Sequence, residues 1–164
     1  MTAIHQFIPT LAPRDAIGAH CLAMQEALRS AGFRSDIYAQ EAKEEVRKRA
    51  RPFRSFRGPR AGEETWLLYH ASVGSPVGDW VAARREPLLV DYHNITPMAY
   101  FTRYEPHTAA VMGLGRRQLQ KLAHRARLGL ADSAYNAHEL EELGYRATAV
   151  VPILLDVATL DVAP

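Results

Sequence analysis

Residues 65–71, TWLLYHA, and 87–93, PLLVDYH, decide the fold. Both are short apolar runs that do not alternate with polar positions. A strand packed on one face alternates; a run that is apolar almost throughout suits a strand buried on both faces, as in a parallel sheet covered by helices. Working outward, strand-like and helix-like segments alternate along nearly the whole chain. Thr2–Pro9 reads as a first strand. Ala19, Leu22, Ala23, Ala27, Leu28 and Ala31 keep the 3–4 spacing of a helix that opens near Gly18 and stops at Gly32, with Asp15 as its cap. Asp36–Ala39 is a second strand. Pro76–Arg85 has room for a short helix, and Glu105-Pro106 opens a long one running to about Arg127. That helix is expected to bury Val111, Met112, Leu114, Leu119, Leu122 and Ala126 and to turn Arg116, Arg117, Lys121 and Arg125 to water. Leu128–Ala131 is a strand, Asn136–Leu143 a helix ended by Gly144, and Ala147–Leu155 the last strand. Such β/α alternation predicts a Rossmann-like, doubly wound parallel sheet in three α/β/α layers.

In sheets of this kind ligands lie at the carboxyl ends of the strands. The loops 9–18, 71–78, 92–97 and 132–136 are therefore the candidate site. The first carries Gly18 at a helix mouth, where free N–H groups and the helix dipole favour an anion, although a lone glycine there can equally be structural. The second holds His70, Ser72, Gly74 and Ser75, which suit a polyol or phosphate, or simply a turn and a helix cap. The third, DYHNITP (91–97), is the densest polar cluster. His93 has the chemistry of a general base or a polarising donor, and Asn94 and Thr96 suit sugar hydroxyls; a core histidine held by backbone is the alternative. In the fourth, Ser133 or Asn136 caps a helix in any protein, and the same junction can offer N–H groups to a phosphate.

The 164 residues suit one domain. No apolar run nears the roughly 20 residues of a membrane-spanning helix, and the first dozen residues lack the basic start of a signal peptide. A single cysteine, Cys21, allows no internal disulfide and fits a cytoplasmic setting. The sequence has no H-E-x-x-H, no cysteine pair and no carboxylate–histidine cluster at ligand spacing, so no metal is expected. The absence of G-x-G-x-x-G, G-x-S-x-G and the P-loop pattern argues against nicotinamide or flavin cofactors, a hydrolase elbow and a nucleotide triphosphatase. Net charge is only +2, yet 43–60 holds Lys43, Arg47, Lys48, Arg49, Arg51, Arg54, Arg57 and Arg60 against Glu44 and Glu45. That segment reads as a solvated loop broken by Pro52, Gly58, Pro59 and Gly62, or as a surface for phosphates or an anionic membrane.

Taken in order, DAIGAHCLAMQEALRSAGFRSDIYAQ (15–40), LLYHASVGSP (67–76), VDYHNITP (90–97), and LADSAYNAHELEELGY (130–145) with VVPILLD (150–156) resemble the N-terminal domain of family 4 glycosyltransferases. These are retaining enzymes of the GT-B fold, in which two Rossmann-like domains face a cleft. The resemblance covers nearly the whole chain. It implies that this domain binds a sugar or lipid-linked acceptor, while a C-terminal domain in cis binds the nucleoside diphosphate sugar, without a metal. It implies His93 as the catalytic-site side chain, Gly18, Asp15 and Ser133 on the donor and phosphate side, and His70 and Asn94 on the acceptor side. Many members carry two adjacent glycines in the first loop, where this chain has Ala16-Ile17-Gly18.

The expected layout is a domain at 1–155 and the start of an interdomain linker at 156–164, with the donor-binding half absent and the isolated domain inactive. The expected setting is the cytoplasm or the inner face of its membrane, reached through 43–60, with no nucleic-acid partner. The alternative is a non-catalytic, flavodoxin-like α/β module that holds a small anion or a partner protein.

Overall fold

The computed structural model describes residues 1–154; Leu155 and the expected linker at 156–164 lie outside the described residues. Its strands are β1 (Thr2–Leu11), β2 (Ile37–Ala42), β3 (Ala50–Pro52), β4 (Glu64–Ala71), β5 (Leu88–Tyr92), β6 (Ala126–Ala131) and β7 (Thr148–Val150). The helices are α1 (Ala16–Ser30), α2 (Pro76–Ala82), α3 (Pro106–Leu122) and α4 (Ala134–Glu142). All seven strands pair in parallel, in the order β3-β2-β1-β4-β5-β6-β7. This is the doubly wound, Rossmann-like arrangement expected from the apolar runs.

The sheet separates two apolar cores. On one face Ile8, Leu11, Ile37 and Ala39 pack with Cys21 of α1. On the other, Phe7, Tyr69, Val90 and Tyr92 pack with Val77 and Val81 of α2, Leu119 and Leu122 of α3, and Leu140 of α4. Neighbouring residues of one strand therefore serve different cores, because side chains alternate across a strand. The winding changes direction between β1 and β4, which are paired from Thr2↔Glu64 to Phe7↔Tyr69. In a parallel sheet that point of reversal opens a crevice at the carboxyl ends.

The helix starts follow their predicted caps. Asp15 accepts the Gly18 N–H at 3.1 Å, and Ser133 accepts the Asn136 N–H at 3.2 Å. Other expectations need correction. The buried face of α1 is formed by Gly18, His20, Cys21 and Gln25, whereas Ala27 and Ala31 are exposed. Alanine spacing fixes helicity but not the side that faces the sheet. The long helix ends at Leu122 rather than near Arg127, and Ala126 already belongs to β6. Arg116 is not simply wet: it donates to the Ile95 carbonyl at 2.9 Å and to Glu139 at 3.2 Å. The 43–60 segment is not a bare loop. It holds a 3-10 turn (Glu44–Arg49), the edge strand β3 and a second 3-10 turn (Phe53–Ser55), anchored by buried Val46, Phe53 and Phe56. The last strand is shorter than expected, and 151–154 are not in a strand. Among the described residues no helix is long and apolar enough to cross a membrane.

Candidate functional site

Four buried side chains meet at the carboxyl ends of β4 and β5, beside the β1/β4 reversal: His20, His70, Asp91 and His93. The fold brings them from three elements. His70 and Asp91 sit one residue before the ends of β4 and β5 and are register partners, so both side chains leave the sheet on the α1 face. His93 is the first residue beyond β5, and its N–H still donates to the Ala71 carbonyl at 3.0 Å. His20 comes down from the first turns of α1. The sequence expectation of no carboxylate–histidine cluster is thus overturned: the members are far apart along the chain, and only strand register assembles them.

The hydrogen bonds assign the protons. The Leu154 N–H donates to His20 Nδ1 at 2.9 Å. His20 therefore carries its proton on Nε2, which donates to Asp91 Oδ2 at 2.9 Å. At the far side His93 Nδ1 donates to Asp132, 3.0 and 3.1 Å from its two oxygens. His70 Nε2 donates to the side-chain oxygen (Oε1) of Gln6 on β1 at 2.8 Å. That leaves His70 Nδ1 facing His93 Nε2 at 3.0 Å. The two rings lie 11° from parallel with centroids 5.3 Å apart, a separation that the N···N distance and two ring radii account for fully. The rings are end to end in one plane, sharing a proton along the line between them. Asp91 Oδ2 also lies 3.3 Å from His70 Nδ1 and 3.5 Å from His93 Nε2.

Charge follows from these contacts. Burial pushes His93 down, but its Asp132 hydrogen bond and the charges of Asp91, Asp132 and Asp15 outweigh that and hold it above the ordinary histidine value. Burial dominates at His70 and pushes it below that value despite Asp91. Burial also opposes the charge on Asp91, yet the hydrogen bonds from His20 and His70 and the nearby imidazoles hold its carboxyl well below the usual carboxylate range. The cluster thus favours the charged form at His93, which stands between two carboxylates, and the neutral form at His70.

These four residues are also the ones able to hold a divalent cation, since their ligand atoms lie within 4.8 Å of one another. In the geometry seen, His20 presents an N–H rather than a lone pair to the centre, and His70 Nδ1 and His93 Nε2 face each other across one proton instead of converging on a common point. A cation would have to displace the shared proton and turn His20.

The turn above the cluster is rigid. Asn94 takes the left-handed conformation, φ 47°, which asparagine tolerates better than most side chains. Ile95 is clamped on both sides: its N–H donates to the Tyr92 hydroxyl at 3.3 Å and its carbonyl takes Arg116. Tyr92 in turn donates to Glu139 at 2.8 Å.

The predicted residues therefore divide. His70 and His93 are at the centre, with side chains no more than 1% exposed; all four of their ring nitrogens are engaged within the protein. Asp15 and Asn94 are exposed at the rim. Gly18 opens α1, but its N–H is taken by Asp15, and the space a side chain would need is filled by the Ala12 backbone, whose carbonyl oxygen would lie 1.9 Å from an added Cβ. Close packing is what requires glycine here. Ser133 caps α4, and its neighbour Asp132 is the residue that touches His93. In the 71–78 loop Ser75 caps α2 and is held by Gln118 through its N–H and carbonyl at 3.1 and 2.8 Å.

Sequence reasoning missed Gln6, His20, Asp91 and Asp132 as site members. Asp91 and Asp132 stand inside the motifs that were read, one residue short of a strand end and one beyond it, and that placement was the available signal. Gln6 and His20 carry no such mark.

The fold and the cluster together define an α/β domain of Rossmann-like type with a polar site at its winding reversal. No protein-family model matches the chain, and no curated protein matches it.

Proposed function

We propose that this chain is the acceptor-side half of a retaining glycosyltransferase of GT-B architecture, one wall of a cleft that transfers a hexose from a nucleoside diphosphate sugar. The observation that carries the reading is the position of the Asp91–His93–Asp132 cluster: carboxyl strand ends, beside the reversal between β1 and β4, where parallel sheets bind ligands. The reading carries with it a sugar or lipid-linked acceptor, a cytoplasmic setting and no metal or nucleic acid. It also implies that the domain alone does not turn over.

The charge balance indicates which side of the reaction this wall serves. One imidazolium stands against Asp91, Asp132 and nearby Asp15, so the site is net negative. It complements the positive charge that develops on the sugar ring as the bond to the leaving group lengthens. The departing diphosphate then needs its donors from the second domain. Asp132, whose side chain is 16% exposed, is the group placed to face the sugar. His93 is a positioning residue: with both ring nitrogens occupied, it orients Asp132 and sets the local charge rather than accepting a proton.

The test is sugar transfer by the protein carrying both halves. Asp132→Asn and His93→Ala are each expected to lower kcat by about 10²-fold, the scale of losing a preorganised electrostatic contact, with KM for the nucleotide sugar changed far less. His93→Ala is also expected to alter the pH profile. Undiminished kcat in both variants would refute the assignment.

A further inference from the structure

We propose a second site on the opposite face of β1: a recess at the β2/β3 edge that takes a phosphate-bearing ligand. Its argument does not depend on the glycosyltransferase reading.

The recess has a volume of about 250 Å³ and is lined by His5, Arg34, Tyr38, Arg51 and the 57–60 turn with Arg57 and Arg60. It lies away from the histidine cluster because His5 and Gln6 are consecutive on β1 and point to opposite faces. Its acidic groups are already spent. Glu63 receives a two-pronged bond from Arg34, at 2.6 and 2.7 Å, and Asp36 lies 3.2 Å from the same guanidinium. Among the described residues, Arg51, Arg57 and Arg60 have no carboxylate at ion-pair distance. Three guanidiniums on one recess without counter-charge repel one another, and an oxyanion that accepts paired N–H bonds removes that repulsion.

A neutral donor joins them. His5 is 1% exposed and its Nδ1 accepts the Asp36 N–H at 3.1 Å, which places its proton on Nε2. Among the described residues that Nε2 makes no hydrogen bond. Burial and the Arg34 charge push His5 down to about 4, so at neutral pH it offers an N–H without adding a fourth positive charge.

The wall is fixed rather than loose. Phe56, 5% exposed, anchors the turn among His5, Phe7, Tyr38 and Trp80, with ring centroids 5.2 to 6.0 Å apart. Gly58, at φ 95°, makes the bend that brings Arg57 and Arg60 to the same opening. The arginine side chains themselves are exposed, but they spring from a backbone anchored by Phe56, so binding an anion does not have to order the turn that carries them. The recess is several times the ~30 Å³ share of a water molecule, so it accepts a phosphate that carries an organic group, whether a soluble phosphomonoester or a lipid headgroup.

The test is titration with inorganic phosphate and pyrophosphate, followed by amide chemical shifts. It is paired with co-sedimentation on phosphatidylglycerol and phosphatidylcholine vesicles. Arg57→Gln/Arg60→Gln removes two guanidiniums that have no structural ion pair, and Arg47→Gln/Lys48→Gln removes equal charge outside the recess. Binding of the soluble anions with shifts at 5, 38 and 57–60, weakened about tenfold or more by the first double variant only, supports the site with a soluble ligand. Binding only to phosphatidylglycerol vesicles, with the same dependence, supports it with a headgroup. No binding of either kind, or equal loss in both double variants, overturns it.

Discussion

His5 and Gln6 are neighbours on β1, yet they open onto opposite electrostatic worlds. Gln6 joins a cluster in which carboxylates surround an imidazole, and the imidazole they surround, His93, is pushed above the ordinary histidine value towards its charged form. His5 lines a recess in which arginines surround an imidazole, and that one is pushed down to about 4 and stays neutral. Both rings are almost fully buried. Burial alone would make both neutral, so the difference comes from neighbours: Asp91 and Asp132 on one face, Arg34 on the other. A two-residue repeat along one strand is enough to set one imidazole among carboxylates and another among arginines.

The harshest way to break the comparison is to remove Asp91. Asp91→Ala leaves a buried imidazolium with one carboxylate fewer and strands the His20 N–H, so unfolding free energy is expected to fall by about 3–5 kcal/mol, the usual cost of breaking a buried ion pair. Gln6→Leu, which takes only the acceptor from His70, is expected to cost about 1–3 kcal/mol. Chemical denaturation measures both, and equal losses would mean that the cluster is held by packing rather than charge.

A smaller effect sharpens the contrast through pH. His93 has a raised folded pKa, so its contribution to stability is complete below the unfolded histidine value and is lost as pH rises through the folded one. His5 is depressed, so its stabilisation is lost as pH falls from the ordinary histidine value towards about 4. Asp91, also depressed, loses its stabilisation as pH falls below the unfolded carboxylate value. Thermal melts across this range are expected to peak near neutrality, with His5→Phe flattening the acid limb between the histidine and carboxylate ranges. An acid limb unchanged by that substitution would contradict the neutral state of His5.

Much of this was legible in the sequence, and the reasons are physical. TWLLYHA and PLLVDYH announced parallel strands because both of their faces are covered, and Asp15 and Ser133 announced helix starts because a cap is a local interaction. β3 stayed hidden because a three-residue edge strand inside an arginine-rich segment has no periodicity to detect. The long helix was overrun because Ala123–Arg125 contain neither glycine nor proline to mark its end. The site was half visible: His70 and His93 stood at predicted strand ends, while His20 belongs to an alanine-rich helix whose sidedness only the sheet decides. Asp132 carries no local signal of its own beside Ser133, since a cap is a local interaction and a partnership with His93 is not.

The most direct test is a proton count on the individual histidine rings, by long-range ¹H–¹⁵N correlation across a pH titration. The account predicts that at neutral pH both ring nitrogens of His93 are protonated, while His5 carries one proton, on Nε2, and gains its second only near about 4. His93 losing its second proton below the ordinary histidine range, or His5 becoming an imidazolium before it does, would contradict the division of charge across β1.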